Sequence, residues 1–201
     1  NWDSPILVSP HNNERIYFGS QRLWKSDNRG DKWEAISKDL TTNTNRYELS
    51  LMDRVWSVDD LYDNGAMSKY ATLTTIAESP LQEGLLYTGS DDGLIHVSEN
   101  GGTSWSKSDI KIPSRSFIND IEASQHDPNT VFAVVDAHKL GDYAPYIFMS
   151  TNKGSSWQAI VGDLPKGTIV WSIKQDHEDA NLCLSEQNLG FTFRIIKVPI
   201  G

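Results

Sequence analysis

One octapeptide pattern occurs three times in this chain and constrains its fold more than any other feature. The pattern is S-x-N-x-G-x-[KS]-W, and it spans residues 26–33, 98–105 and 150–157. The closing tryptophans of successive copies are 72 and 52 positions apart. Repeats at such spacings are typical of architectures that stack one supersecondary unit several times.

Short β-rich runs bounded by Gly, Pro, Asn and Asp precede each octapeptide. From the isoleucine of the first run to the closing tryptophan, the three units measure 28, 30 and 37 residues. A fourth unit begins at Val170 and lacks the octapeptide. Because no segment has a sustained helical period, the sequence predicts an all-β chain of four-stranded antiparallel meanders.

Each residue type that recurs in the pattern suits a tight hairpin between the third and fourth strands of a unit. The asparagine can fold its side chain onto backbone amides as an Asx-turn, and the serine can bond across the loop. The glycine supplies a positive φ, and the tryptophan opens the fourth strand with its ring beneath the turn. These predicted structural residues are Ser26, Asn28, Gly30, Trp33, Ser98, Asn100, Gly102, Trp105, Ser150, Asn152, Gly154 and Trp157.

The octapeptides resemble Asp-boxes, the S-x-D-x-G-x-T-W hairpins of BNR-repeat β-propellers in the sialidase-like superfamily, with asparagine in place of aspartate. The wider pattern, including residues 85–94 and 162–165, is similar to bacterial proteins with sortilin-type propeller repeats, often described as glycosyl hydrolases. The resemblance covers roughly residues 5–190 and implies a β-propeller, in which meanders stack radially. Asp-boxes occur in sialidases, xyloglucanases, sortilins and photosystem assembly factors, so the resemblance implies a fold rather than one activity.

The unit lengths predict a partial propeller of three complete blades and an incomplete fourth. We expect one propeller segment over residues 1–201, with blades at about 5–38, 73–110, 117–162 and 168–197 and an insertion at 38–72. Closed propellers need about four to eight blades, and an open ring leaves sheet edges exposed. We therefore expect the remaining blades of the same propeller to be a partner of this segment.

Charge and composition argue against several classes of function. The net charge is −9, which disfavours binding to nucleic acid. The single cysteine, Cys183, cannot form an internal disulfide, and no Cys/His set has zinc spacing, so no metal is predicted. No apolar run approaches the roughly 18 residues of a membrane span. Phosphate-binding, dinucleotide-binding and G-x-S-x-G motifs do not occur, so no cofactor is predicted.

Meander geometry sorts the loops onto two rims. The octapeptide hairpins share one rim with the turns between strands one and two, and the other loops and blade connections share the second rim. In sialidase-like relatives the active site lies on the second rim, so the resemblance implies a structural role for the octapeptides. Residues 136–145 are predicted as a long loop on the second rim, where function often resides. The ligand-binding candidates are Asp92, His138, Asp142, Tyr143, Arg54, Trp56 and Arg115.

Two carboxylates are the candidates for catalysis, Asp91 and Asp136, at equivalent positions of neighbouring units. A glycosidase needs two carboxylates at a set separation, one of them protonated. A sialidase also needs an arginine cluster, and the chain has only seven arginines. Residues 193–196 (F-R-I-I) resemble the sialidase F-R-I-P signature but occur in a late unit, where sialidases do not have it. We therefore interpret the match as coincidental.

Three functions stay open at this point. The first is a non-enzymatic segment of a larger exported protein that binds a protein or glycan through its loop rim. The second is a glycoside hydrolase, sialidase-like or xyloglucanase-like, that uses the rim carboxylates. The third is a purely architectural spacer, in which the rim residues form ordinary solvated turns. The resemblance implies an extracellular or periplasmic location.

Overall fold

The computed structural model describes residues 4–51, 53–56, 70–187 and 193–197, with backbone only for Leu51 and for 193–197. In these residues the chain is all-β, apart from single 3-10 turns at Arg46–Glu48 and His138–Leu140. Residue 52 and residues 57–69 of the predicted insertion, residues 188–192 of the last unit, and residues 1–3 and 198–201 lie outside the described residues.

The strands form three four-stranded antiparallel sheets and one three-stranded sheet, each in sequential order. We number these sheets as blades one to four. Blade one contains β1 (Ile6–Val8), β2 (Ile16–Gly19), β3 (Leu23–Ser26) and β4 (Glu34–Ala35). Blade two contains β7 (Leu73–Glu78), β8 (Leu86–Ser90), β9 (Ile95–Ser98) and β10 (Ser106–Lys107). Blade three contains β11 (Phe117–Ala123), β12 (Val131–Ala137), β13 (Asp142–Ser150) and β14 (Gln158–Ala159). Blade four contains β15 (Val170–Gln175), β16 (Leu182–Gln187) and β17 (Phe193–Lys197).

A small hairpin of β5 (Ser50–Leu51) and β6 (Arg54–Val55) lies between blades one and two. The predicted partial propeller, three complete blades and an incomplete fourth, is therefore confirmed. The F-R-I-I sequence forms most of β17, the third strand of blade four, where Glu186 pairs with Phe193 and Leu182 with Lys197.

The three octapeptides close the hairpins between strands three and four with the same hydrogen bonds. In the third copy, Ser150 Oγ accepts from Gly154 N at 2.8 Å and donates to Asn152 Oδ1 at 2.9 Å. Asn152 Oδ1 also accepts from Ser156 N at 2.9 Å. An Asx-turn reaches the amide two residues on, whereas here the asparagine oxygen caps the amide four residues on. The predicted Asx-turn is therefore replaced by a wider loop held jointly by the serine and the asparagine.

The closing tryptophans pack beneath these hairpins to different depths. Trp105 donates from Nε1 to Ile36 O at 2.9 Å, and it packs against the core between blades one and two. Trp157 donates to Ser108 Oγ at 2.6 Å, in the connection that precedes blade three. Trp33 lies against Phe18 edge to face, with ring centroids 6.2 Å apart, and remains exposed. The second and third hairpins therefore link neighbouring blades, since the acceptor in each case lies outside the hairpin.

Apolar side chains between successive blades form three cores. Tyr17 and Leu23 of blade one meet Ile76 and Leu86 of blade two. The next core joins blades two and three, and it includes Tyr87, Ile95, Val97, Ile121, Val131 and Ala133. The last core joins blades three and four, and it includes Phe132, Val134, Ile147, Ile173 and Cys183. Each blade thus buries an apolar face against its neighbour, which stabilises meanders that are too small to fold alone.

Candidate functional site

A recess of about 370 Å³ opens on the rim opposite the octapeptide hairpins. This rim, which we call the loop rim, carries the loops between strands two and three together with the blade connections. The recess draws its walls from blades two, three and four. Its lining residues are Thr74, Phe117, Asn119, Asp136, His138, Lys139 and Trp171.

Irregularities in the first strands of blades two, three and four direct three of these side chains to the recess. The pairing of β7 skips Thr74, that of β11 skips Asn119, and that of β15 skips Trp171. Such β-bulges place an extra residue in one strand and re-aim its side chain, and they are common next to functional sites. Three successive blades therefore each place one bulged residue at the same recess.

Two of the bulged side chains also connect neighbouring blades. Thr74 Oγ1 donates to Ile118 O at 2.6 Å, and Asn119 Nδ2 donates to Val170 O at 2.9 Å. Each acceptor is the carbonyl just before the bulged residue of the next blade. The recess therefore has a hydrogen-bonded frame, which fixes the positions of the Thr74 and Asn119 side chains.

Asp136 and His138 form a fixed pair at one side of the recess. The Asp136 side chain is only 4% exposed, and it accepts hydrogen bonds from His138 Nδ1 and, at 2.8 Å, from His138 N. The imidazole also lies edge to face on Trp171, with centroids 6.0 Å apart. Because a carboxylate only accepts, Nδ1 is the donor in this pair, and Nε2 takes no part in it.

Asp91 lies at the end of β8, and its carboxyl accepts a hydrogen bond from Thr72 N at 2.8 Å. Burial raises the pKa of Asp91 to about 6, and the neighbouring carboxylate of Asp92 acts in the same direction. The Thr72 bond and the charge of Lys139 oppose that rise in pKa. Lys139 also lies 4.8 Å from the centroid of the Phe117 ring. The turn at 138–141 thus interacts with both candidate carboxylates, Asp136 through His138 and Asp91 through Lys139.

Asp92, a predicted ligand-binding residue, lies in a structural contact. It is buried, and its two oxygens accept from Ser90 Oγ and, at 2.6 Å, from Thr42 N. These bonds fasten the chain that follows blade one to the turn of blade two.

The predicted long loop over residues 136–145 is wrong. Residues 131–137 belong to β12 and residues 142–150 to β13, so the connection is the four-residue turn 138–141. The turn is tight because Ala137 pairs with Asp142 and Gly141 adopts a φ of +79°. Asp142 accepts from Tyr146 Oη at 2.6 Å, which lowers the pKa of its carboxyl, and Tyr143 projects from β13 into solvent.

The remaining predicted ligand-binding residues, Arg54, Trp56 and Arg115, do not line this recess. Arg54 lies over the Trp56 ring at 4.8 Å from its centroid, beside the β5–β6 hairpin. Arg115, with a φ of +64°, lines a second recess of about 300 Å³ together with Tyr70 and Asp92. Burial raises the pKa of Tyr70, an effect that Arg115 opposes.

Sequence reasoning missed Thr74, Phe117, Asn119, Lys139 and Trp171. The available signal was a break in strand alternation. In a regular strand, two buried residues on one face are separated by a single residue, whereas the buried Val170 and Ile173 are separated by two. Thr74, Asn119 and Trp171 are three different residue types, so a search for a repeated residue does not find them.

Within the described residues, no group of three or more His, Cys, Asp or Glu side chains is arranged to hold a metal ion. The same residues include no helix that is long and apolar enough to cross a membrane.

No protein-family description matches the chain, and no curated protein matches it in sequence. Solved structures do resemble it. The GH74 xyloglucanase from Xanthomonas campestris has a TM-score of 0.60 at 16% identity, over 90% of this chain and 26% of the enzyme. The GH74 enzyme from Niastella koreensis has a TM-score of 0.62 at 14% identity, over 97% of this chain and 30% of the enzyme. YCF48 from Cyanidioschyzon merolae has a TM-score of 0.51 at 12% identity, over 98% of this chain and 56% of that protein.

Likeness at such low identities shows the fold, and it places this chain in the class of β-propellers. The chain spans between a quarter and a third of the length of the GH74 enzymes that it resembles.

Proposed function

We propose that this chain is a non-enzymatic segment of a larger, exported β-propeller protein and that it binds a protein or glycan through the recess of the loop rim. The observation that carries the proposal is the convergence of three bulged residues, from three blades, on that recess. The recess combines an exposed indole with an imidazole, an amide, a hydroxyl and an ammonium group. Sites of this kind pair apolar surface with a few fixed polar groups.

Two further features belong to the same proposal. We interpret the octapeptide hairpins as Asp-boxes, which stabilise blades and take no part in binding. Further blades of the same propeller complete the ring, and the greater length of the GH74 enzymes supports this reading.

The test is a binding screen of the full chain on a glycan array and in peptide pull-down assays, followed by two variants of matched exposure. Trp171 is 39% exposed in the recess and Leu184 is 40% exposed on the same blade outside it. We expect Trp171→Ala to weaken binding about tenfold or more, equivalent to roughly 1.4 kcal/mol, and Leu184→Ala to leave it unchanged. No binding in either screen, or equal losses in the two variants, contradicts the proposal.

A glycoside hydrolase is the second candidate, and the pKa of Asp91 is the observation that favours it. A carboxyl whose pKa is raised to about 6 can serve as the protonated acid of a glycosidase. Asp136 would then be the second carboxylate, oriented by His138. Release of reducing sugar from polysaccharides, lost in both Asp91→Asn and Asp136→Asn, would establish this function. The absence of activity across a broad panel of polysaccharides would exclude it.

A further inference from the structure

The outer face of blade one, turned away from blade two, is apolar and exposed. Ile6 is 68% and Val8 54% exposed on β1, and both project from this face. Their cross-strand partners are Phe18 and Ile16. Trp24 pairs with Phe18, and the exposed Trp33 ring lies on Phe18. We call this surface the blade-one face.

The same register positions are buried in every other blade. The pairs Ile6–Phe18 and Val8–Ile16 of blade one correspond to two equivalent pairs in each of the other blades. These are Ile76–Thr88 and Glu78–Leu86, Ile121–Ala133 and Ala123–Val131, and Ile173–Ser185 and Gln175–Cys183. All twelve of these side chains are buried, and the eight apolar ones belong to the core shared with the preceding blade. The blade-one face thus has the register of an interface between blades and is more apolar than the equivalent faces.

The surface that covers such a face has its own recurrent feature. At one position of the second strand, an aromatic side chain projects towards the next blade: Tyr17 in blade one, Tyr87 in blade two and Phe132 in blade three. Each is almost fully buried in the core that it shares with the next blade. Blade four has Leu184 at this position, opposite Lys174, and Leu184 is 40% exposed.

The two open ends of the described propeller therefore differ. The blade-one face presents apolar and aromatic groups. The outer face of blade four presents Lys174 and Glu186 beside Leu184, with Phe193 and Ile195 at the paired positions of β17, and it has no aromatic residue at the second-strand position. The exposed apolar and aromatic patch of the blade-one face is of the kind that marks an interaction site.

We propose that the blade-one face receives a further blade of the same propeller, whose second strand carries an aromatic residue at the position of Tyr17, Tyr87 and Phe132. This inference rests on the proposed membership in a larger propeller and identifies which end the added blade covers and what it presents there. The absence of charge on both kinds of surface supports this inference. The paired residues of the blade-one face include no ionisable side chain that projects from it. The surfaces that blades one and three present to blades two and four are likewise largely apolar.

The experiment installs the missing feature on the chain's own fourth blade. The double variant Leu184→Tyr/Glu186→Val gives the second strand of blade four an aromatic residue and removes a charge, so a second copy can present this strand to the blade-one face. Sedimentation velocity over about 1–100 μM measures assembly, a range that brackets micromolar affinity. We expect the unmodified chain to stay monomeric and the double variant to associate head to tail at least tenfold more tightly. Adding Ile6→Asp to the double variant should abolish this association.

Two results overturn the inference. One is a double variant that stays monomeric while its near-ultraviolet circular dichroism matches that of the unmodified chain; if it misfolds, Leu184→Tyr alone replaces it. The other is an unmodified chain that associates, with association lost in Phe18→Asp and kept in Leu184→Asp, since the face would then accept a second copy of itself. Neither result depends on the ligand screens with Trp171→Ala, so failure of assembly and failure of binding remain distinguishable.

Discussion

Replacing Gly102 by alanine tests how an octapeptide hairpin stabilises the contact between blades one and two. Gly102 has a φ of +92°, and a Cβ there would lie 2.8 Å from Ile36 Cβ and 2.9 Å from Ile36 O. Ile36 O is also the acceptor for Trp105 Nε1. The neighbouring Gly101 is the matched control, since it too has a positive φ, +66°, but a Cβ there meets nothing within 4 Å.

The expected magnitudes follow from these contacts. Gly101→Ala incurs only the left-handed backbone penalty, about 1–2 kcal/mol. Gly102→Ala adds overpacking of about 1–3 kcal/mol and part of the roughly 1 kcal/mol Trp105 hydrogen bond to the same backbone penalty, for a total of about 2–6 kcal/mol. For a chain of this size each kcal/mol lowers the melting temperature by about 2–4 °C. Thermal unfolding followed by circular dichroism should therefore separate the two variants clearly. Equal losses at the two glycines would refute the proposed contact between hairpin and neighbouring blade.

Three further substitutions have defined outcomes. Ser150→Ala leaves the buried Gly154 amide without its acceptor and should lower the free energy of unfolding by about 1–3 kcal/mol in urea titrations; no loss relative to the exposed Thr151→Ala would contradict the hairpin geometry. Glu78→Gln should stabilise the chain, because Glu78 Oε2 is buried with no hydrogen-bond partner among the described residues and a neutral amide costs less to bury; a lower melting temperature at pH 7 would count against this. Asp91→Asn tests linkage: the folded-state pKa of about 6 exceeds the unfolded value, so ionisation of Asp91 removes stability as pH rises from about 4 to 6. The melting temperature of the variant should therefore gain on that of the unmodified chain across this interval, and a constant difference would argue against the raised pKa.

The blades were predictable because their determinants are local and repeated. The serine, asparagine and glycine of each octapeptide bond to one another within a few residues, so the pattern alone predicts a hairpin wherever it occurs. The positions of the three tryptophans were predictable for the same reason. How deeply each ring is buried was not, because Trp105 is covered by Ile36 of another blade while Trp33 has no such cover from the described residues.

The recess was less accessible to sequence reasoning, because it depends on exceptions to regular pairing. Thr74, Asn119 and Trp171 reach it only through bulges, and a bulge is a property of two paired strands rather than of one sequence run. The sequence identified Asp136 and His138 as candidate residues, but the prediction of a long loop gave no reason to expect contact between them. Two residues of separation become a fixed carboxylate–imidazole pair only because the turn at 138–141 is short.

The geometry of the recess and the packing of the blades depend on one another. Thr74 donates to the inner strand of blade three and Asn119 to that of blade four, so the side chains that frame the recess are also links between blades. A ligand bound there, as we propose, would contact three blades at once and would therefore favour their association. Conversely, a substitution that loosens the packing between blades, even on the hairpin rim, should weaken binding at the loop rim without touching the recess. On this reasoning Gly154→Ala, which adds a Cβ 3.2 Å from Val97 Cγ2 of blade two, should weaken ligand binding more than Gly101→Ala does, although both glycines lie on the hairpin rim.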